Sequence, residues 1–281
     1  MSSPRLLRRD PRALAPPAGT VDVHLHVAAD LAPGASSLRR DPGTPPPTDP
    51  AGALALLDEA GVDRALAFPP YRTGYAVANS RLREAAAASD GRLLAAARLG
   101  GRVPALVPAV WSVRRSLRSR VGSRPPDVDS LEGYAGVKLA PHVDGVPDEE
   151  LLADVRARRL PVVVHAGVTC RPAWIARQLL PRLTGCRVVL AHLGCFPASA
   201  PALADAVALA REGRVWLDTS ASWLAELVAV AVREAPGRVL FGSDAPLMSP
   251  RVAWQHVAAA VPDDALLDSV ARGAAQEVLG L

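Results

Sequence analysis

The feature that most constrains the fold is a set of short apolar runs that end in a histidine or an aspartate. Four of them stand out: VDVHLHV at 21–27, VVVHAG at 162–167, VVLAHLG at 188–194 and VLFGSDAP at 239–246. Short runs of β-branched apolar residues are typical of strands that are buried on both faces, as in a parallel sheet. Polar side chains at the ends of such strands indicate an active site at the carboxyl edge of an α/β sheet or barrel.

Strand-like and helix-like segments alternate along the chain. Strands are predicted near 20–26, 63–68, 92–98, 134–140, 161–166, 187–192, 214–219 and 238–243. Helices are predicted near 51–60, 75–89, 104–120, 147–159, 172–183, 198–212, 221–235 and 250–260, with a last helix at 263–279. Eight successive strand–helix units favour a closed (β/α)8 barrel over an open sheet. We therefore expect an α/β protein with one TIM-barrel domain over 20–281, after an N-terminal extension over 1–19.

Two segments rich in proline or glycine do not fit the alternation. We expect 30–50 to form a long loop after strand one, over the barrel mouth, and 119–131 to form a loop before strand four. Long loops of this kind are either functional lids or loosely ordered connections, and both interpretations stay open here.

Composition argues against several classes of function. The chain has no apolar run near the roughly 20 residues of a membrane span, and its N-terminus lacks the apolar stretch of a signal peptide. The net charge of +4 comes from dispersed basic residues, and aromatic residues make up only 4% of the chain, which argues against nucleic-acid binding. The three cysteines form no CxxC pair and are typical of free thiols in a reducing compartment. We expect a cytoplasmic protein with a small-molecule partner, and with neither nucleic acid nor membrane as a partner.

Histidines and an aspartate at the predicted strand ends form a candidate metal centre. His24 and His26 are two residues apart on strand one, so both side chains point into the barrel. His165 ends strand five, His192 ends strand six and Asp244 ends strand eight, which lies beside strand one in a closed barrel. An HxH pair alone is weak evidence, but imidazoles and a carboxylate at one rim suit Zn²⁺ or a similar divalent cation.

At these positions the chain resembles the amidohydrolase superfamily. HLH at strand one, HAG at strand five, AHLG at strand six and GSDAP at strand eight match the pattern of that superfamily in identity and order. The similarity is greatest to the amidohydrolase-related branch, which includes non-oxidative decarboxylases and lactone hydrolases. The flanks VWLDTSA at 215–221 and GVKLAP at 136–141 also resemble that branch.

The resemblance implies a set of roles. It implies that one Zn²⁺ is held by His24, His26, His165 and Asp244. It also implies that His192 orients or deprotonates the bound water, or polarises the substrate.

The chain departs from related barrels at two places. Nuclease-like relatives of the TatD type usually carry a glutamate after strand four and an ETDSP-like strand eight, whereas this chain has Lys138 and GSDAP, which argues against a DNase. An Asn-Ala pair that is usual in the last helix is replaced by Gly273 and Ala274.

Lys138 is the only lysine among 32 lysines and arginines. In binuclear relatives, a carboxylated lysine after strand four bridges two metal ions. We weigh an unmodified amine that faces the pocket, a carbamylated bridge with His165 and His192 on a second ion, and a structural ion pair. The mononuclear branch favours the first of these.

Other residues after the strands are candidates for substrate contact. They are Arg72, Arg98, His142, Arg171 and Trp223. An arginine in such a position can clamp a carboxylate with two hydrogen bonds. A surface role is the more common one for each arginine in so arginine-rich a chain.

These observations predict a metal-dependent hydrolase that cleaves an ester, lactone or amide bond of a small molecule through metal-activated water. Its expected catalytic residues are His192, Asp244 and Lys138. The alternatives are a non-oxidative decarboxylase or hydratase of a small carboxylated substrate on the same site, and a non-catalytic ligand-binding barrel. We expect one Zn²⁺ ion, or two if Lys138 is carbamylated, and the resemblance is compatible with a homodimer.

Overall fold

The structure is a computed structural model, and it describes residues 15–30, 48–71, 74–101 and 127–281. The helix predicted near 104–120, Arg72 and most of the loops predicted over 30–50 and 119–131 lie outside these residues.

Eight parallel strands form one sheet in the order β1 to β8. They are β1 (Val21–His26), β2 (Arg64–Phe68), β3 (Leu93–Leu99), β4 (Gly136–Leu139), β5 (Val162–Val164), β6 (Val188–Leu190), β7 (Trp216–Asp218) and β8 (Val239–Leu240). The sheet returns to its first strand, because the amides of Val23 and His26 donate to the carbonyls of Phe241 and Ala245 at 2.9 and 2.8 Å. The predicted (β/α)8 barrel is confirmed.

Helices follow the strands on the outside of the barrel. They are α1 (Pro50–Ala60), α2 (Ala76–Ala87), α3 (Pro141–Asp144), α4 (Glu149–Ala157), α5 (Pro172–Gln178), α6 (Ala200–Arg211), α7 (Ala225–Glu234), α8 (Pro250–Ala260), α9 (Asp264–Asp268) and α10 (Ala274–Leu279). The side chains of Asp49, Asp148 and Ser199 accept hydrogen bonds from the first turns of α1, α4 and α6, as N-caps do. None of the helices in the described ranges is both long and apolar enough to cross a membrane.

Two apolar clusters follow from the alternation of side chains along the strands. On β2, Ala65 and Ala67 belong to the larger cluster, which packs against the helices, whereas Leu66 and Phe68 belong to a smaller one. The smaller cluster also includes Ala274, Ala275 and Val278 from the C-terminal segment. Apolar residues thus fill the interior of the barrel toward the amino ends of the strands, which we call the lower interior. The polar site lies at the carboxyl ends of the strands.

Candidate metal centre and active site

The closure of the barrel brings Asp244 to the two histidines of β1. Asp244 Oδ1 lies 3.3 Å from His24 Nε2 and 3.1 Å from His26 Nε2. The amide of Asp244 donates to the carbonyl of His24 at 2.9 Å, and its backbone has a φ of 67°. A left-handed conformation is uncommon for a residue other than glycine, and such residues cluster at functional sites. The end of β8 is therefore shaped so that this carboxylate faces both imidazoles.

The geometry of these three side chains fits a divalent cation. Their donor atoms all lie within 4.8 Å of one another. Ligand atoms about 2.0–2.2 Å from a tetrahedral ion stand about 3.4 Å apart, which is close to the observed spacings of 3.1 and 3.3 Å. Two imidazole nitrogens and a carboxylate oxygen suit Zn²⁺ and its first-row neighbours, so the donor set alone does not select one metal.

Asp218, at the end of β7, fixes the orientation of His24. Asp218 Oδ2 lies 2.9 Å from His24 Nδ1, and both side chains are buried. Asp218 Oδ1 accepts hydrogen bonds from the amides of His192 and Ser220, each at 3.0 Å, and from the Ser220 hydroxyl. With its proton held on Nδ1, His24 presents the lone pair of Nε2 to the Asp244 side, which is how a carboxylate usually supports a ligating histidine.

A second group of donor atoms is formed by His24, His192 and Asp218. An ion there would use the Nδ1 of His24 and the oxygens of Asp218, which the hydrogen bonds above already engage. The geometry therefore favours the group that contains Asp244.

His165 and His192 lie on the other side of the candidate site from His26, and His192 is close to His24. His192 Nε2 lies 3.1 Å from His165 Nδ1, and the ring centres of His192 and His24 are 5.0 Å apart. The Ser220 hydroxyl lies 2.9 Å from the Nδ1 atoms of both His24 and His192. Among the described residues, His165 is in neither group of mutually close donors. Its role as a metal ligand stays a prediction.

The protonation states of the site suit metal binding at every proposed ligand except His24. Burial lowers the pKa of His26 and of His192 to about 4, and it lowers the pKa of His165 well below the ordinary value. Burial also acts to lower the pKa of His24, but the carboxylates of Asp218 and Asp244 raise it overall. Burial acts to raise the pKa of Asp244, yet His24 holds it well below the usual range. Neutral imidazoles and an ionised carboxylate are the forms that bind metals, so His26, His165 and Asp244 are already in the binding form, whereas the raised pKa of His24 means that metal binding there competes with a proton.

Lys138, on β4, is buried beside the histidines of the candidate site. Its Nζ is 3.3 Å from His24 Nε2 and 4.7 Å from the ring centre of Phe68. Burial lowers the pKa of Lys138 to about 7, so a substantial fraction of the amine is neutral near neutral pH. These contacts favour the two interpretations in which Lys138 faces the pocket over the structural ion pair.

Arg98 is the last residue but one of β3, and its guanidinium is engaged by the protein itself. Its Nε and Nη2 donate to Asp144 Oδ2 at 2.9 and 2.8 Å, and Arg98 is fully buried. The pair attaches β3 to α3, which carries His142. The ring of His142 stacks on His165 with 4.1 Å between centres. His142 therefore lies at the site, whereas Arg98 is held by Asp144 rather than presented to a substrate.

The remaining candidates for substrate contact are placed differently. Trp223 is half-exposed, and its ring centre is 5.9 Å from that of Phe196. Arg171 is exposed before α5 and, within the described ranges, forms no hydrogen bond or ion pair with the histidine cluster. Arg72 lies outside the described residues. Asp218 and Ser220 were not predicted as site residues, although VWLDTSA has the same strand-then-acid form as the other motifs.

Solved structures with the same fold include hydrolases and decarboxylases by name. A probable 2-pyrone-4,6-dicarboxylic acid hydrolase from Acinetobacter baumannii, solved with bound citric acid, is 17% identical to this chain and superposes with a TM-score of 0.63. The match covers 94% of this chain and 100% of the hydrolase chain. A 5-carboxyvanillate decarboxylase from Sphingomonas paucimobilis is 14% identical, with a TM-score of 0.62 and coverage of 93% and 99%. A dihydroxybenzoic acid decarboxylase from Polaromonas with bound manganese is 15% identical, with a TM-score of 0.59 and coverage of 94% and 97%. Similarity at this level of identity shows the shared fold.

The family of the chain follows from its sequence rather than from its fold. No curated protein sequence matches the chain significantly. The family described as Amidohydrolase matches residues 21–281, which is nearly the whole chain and contains every strand of the barrel. Members of this superfamily use a divalent metal, in agreement with the donor group at β1 and β8. The chain therefore belongs to the amidohydrolase family and is an enzyme of the amidohydrolase type.

Proposed function

We propose that the protein is a metal-dependent hydrolase that cleaves an ester, lactone or amide bond of a small molecule. The observation that supports this most strongly is the convergence of His24, His26 and Asp244 opposite His192. A water molecule and a carbonyl group that bind between these residues would contact both a cation site and two proton-accepting groups.

The proposed metal ligands are His24, His26 and Asp244, with His165 as the fourth. Zn²⁺ is the proposed ion. When bound, it would polarise a carbonyl oxygen and lower the pKa of a water molecule.

The protein's own groups would move the protons. His192 Nδ1 lies 3.1 Å from the carbonyl oxygen of Ser220, which accepts the Nδ1 proton and leaves Nε2 as the basic nitrogen. Asp244 is ionised and buried, so it can take a proton from the attacking water and deliver it to the leaving group. Lys138, whose Nζ lies beside His24, can donate a proton to a substrate oxygen.

The carbamylated form of Lys138 makes a different prediction. It would bridge to a second ion held by His165 and His192. A second metal equivalent that appears only when bicarbonate is present during reconstitution would support the carbamylated form. A single equivalent under both conditions would contradict it.

A non-oxidative decarboxylase is the second candidate, because decarboxylases by name are among the proteins that share this fold. The same cation site would bind a substrate carboxylate in that reaction. The residues around the cation site would serve both reactions, so only the identity of the products distinguishes hydrolysis from decarboxylation.

The test is a product assay on the metal-loaded enzyme with a panel of small esters, lactones, amides and aromatic carboxylates. We expect acid release from a member of the hydrolysable set, loss of that activity in Asp244→Asn, and retention in His256→Gln, which changes a histidine on α8. CO₂ release from a carboxylate without acid release from the hydrolysable set would support the decarboxylase instead. Acid release that persists unchanged in Asp244→Asn would contradict the proposed site.

A further inference from the structure

A cavity of about 170 Å³ opens beside His192. Its lining includes Phe196, Pro197, Trp223, Leu224 and Leu227. None of the residues that line it carries a carboxylate, an ammonium or a guanidinium group. Apart from the imidazole of His192, the lining of the cavity is therefore uncharged, and His192 connects the cavity to the candidate cation site.

The outer wall of this cavity exposes large apolar side chains to solvent. Trp223 and Leu224 follow β7 and are 49% and 48% exposed. Tyr71, Val168 and Leu247, which follow β2, β5 and β8, are also exposed, so the apolar surface is at the end of the barrel that holds the histidines. Exposed apolar surface that borders a functional cavity is typical of a ligand-binding site.

A series of rings connects the cavity to the catalytic histidine. The ring centres of His192 and Phe196 are 5.1 Å apart, and those of Phe196 and Trp223 are 5.9 Å apart with an interplanar angle of 65°. This spacing suits edge-to-face contacts between aromatic rings. A group that enters the cavity would have Phe196 and Trp223 as walls, and its attachment point would face His192.

The size of the cavity limits its occupant. A dry apolar cavity of about 150 Å³ binds one benzene molecule, so about 170 Å³ accommodates one ring of that size. A carboxylate in the cavity would meet no ammonium or guanidinium group of the lining, and an unpaired charge among apolar groups is disfavoured.

We propose that the substrate carries one uncharged, phenyl-sized group that occupies the cavity beside His192, with the reacting carbonyl next to it on the Asp244 side. This inference rests on the proposed function and narrows its substrate class to small aryl-bearing or comparably apolar esters, lactones or amides. A carboxylate at the same position would bind less well, because no ammonium or guanidinium group lines the cavity. A substrate with ionised groups at both ends would not fit this site.

The test uses binding, so that it does not depend on turnover. The probes are acetohydroxamic acid, phenylacetohydroxamic acid and its 4-carboxyphenyl analogue, which share one metal-chelating group and differ in the part that would enter the cavity. Titration calorimetry of the metal-loaded enzyme should show phenylacetohydroxamic acid binding at least about 10-fold more tightly than the other two, given the usual effect of filling an apolar pocket.

Variants locate the effect. Trp223→Ala should reduce the preference for the phenyl probe to less than about 3-fold, and Leu227→Ala should reduce it in the same direction. Val252→Ala, which truncates an exposed valine on α8 outside the cavity lining, should leave the preference unchanged. Equal binding of the phenyl and methyl probes, absent binding of the phenyl probe, or a preference that survives both cavity variants would overturn the proposal. If the enzyme binds the phenyl probe more tightly but the product assay detects no hydrolysis, the proposed function is wrong and the apolar binding site is still supported.

Discussion

His24 shows how much of the site depends on contacts between residues that are distant in sequence. The HxH pattern and the strand-end positions predicted that His24, His26, His192 and Asp244 would meet, and the structure brings them together. The support from Asp218, 194 residues away, could not be predicted, because it depends on how far β7 lies from β1 inside the barrel. Sequence patterns indicate candidate ligands, whereas the hydrogen bonds that orient them depend on the closed fold.

Asp218→Asn should lower the metal affinity by about 10- to 100-fold without removing a proposed ligand. The amide of asparagine can donate to His24 Nδ1 and so favour the tautomer that protonates Nε2. Competition with a chelator would measure the effect. Asp205→Asn, at an exposed aspartate on α6, is the matched control and should bind metal like the wild type. An affinity in Asp218→Asn equal to that of the control would contradict the assigned tautomer.

Asp22 should make stability depend on pH. Burial raises the pKa of Asp22 to about 6, although hydrogen bonds from Ser243 and the amide of His24 act to lower it. An unfolded aspartate has a pKa near 4, so between about pH 4 and 6 the folded state binds the proton more strongly, and stability falls as the pH rises.

Asp22→Asn removes this titration. Denaturant unfolding of the metal-free protein measures the free energy of unfolding. Relative to the wild type, that free energy should rise in the variant by up to about 3 kcal/mol as the pH is raised from about 4 to about 7.5. A difference in unfolding free energy that does not change with pH would contradict the raised pKa.

At the scale of elements, the strands were easier to predict than the segments between them. All eight predicted strands are present, because short β-branched runs bounded by turns have few other ways to be buried. The helix α3 was not predicted, since four residues that begin with a proline carry no helical periodicity. It matters for the site, because it carries His142 to His165.

The last helix differs from its prediction for a tertiary reason. The sequence predicts one helix over 263–279, but the structure has α9, a π-helical turn at Ser269–Gly273 and α10. The carbonyl of Val270 accepts a hydrogen bond from the amide of Phe241, just after β8, at 2.9 Å. A bond from the sheet into the helix accounts for the local π turn, and it cannot be read from helical periodicity.

The pair of Arg98 and Asp144 should be essential for α3. Asp144→Ala leaves the guanidinium of Arg98 buried without its carboxylate, and loss of one partner from a buried ion pair typically costs about 3–5 kcal/mol. Denaturant unfolding would measure the loss. The matched control is Asp154→Ala, which removes the exposed pair with Arg158 and should change stability by less than about 1 kcal/mol. If Asp144→Ala and Asp154→Ala lowered the free energy of unfolding equally, the buried pair of Arg98 and Asp144 would not be what holds α3 against β3.

At the scale of the whole molecule, the barrel has a closed apolar end and an open polar end. Ala275 is fully buried and Val278 nearly so, in the cluster that also contains Val21, Leu66 and Val189. The last helical segment thus covers the interior of the barrel at the end opposite the histidines.

Truncation after Gly273 should therefore weaken the entire barrel rather than one edge of it. It exposes the lower interior cluster to water, and apolar surface costs about 25 cal/mol per Å² when it is exposed. We expect a lower melting temperature and binding of a hydrophobic dye that the full chain does not bind. A truncated chain that unfolds at the same temperature as the full chain would contradict this role of α10.

The proposed enzyme depends on a cation held between the first and last strands of the barrel. The most direct test is the metal content of reconstituted wild type, His24→Ala and His256→Ala, each checked for folding by circular dichroism. We predict that His256→Ala retains the wild-type complement and that His24→Ala contains one equivalent fewer per chain. A folded His24→Ala protein with the full wild-type complement would contradict the proposed metal centre.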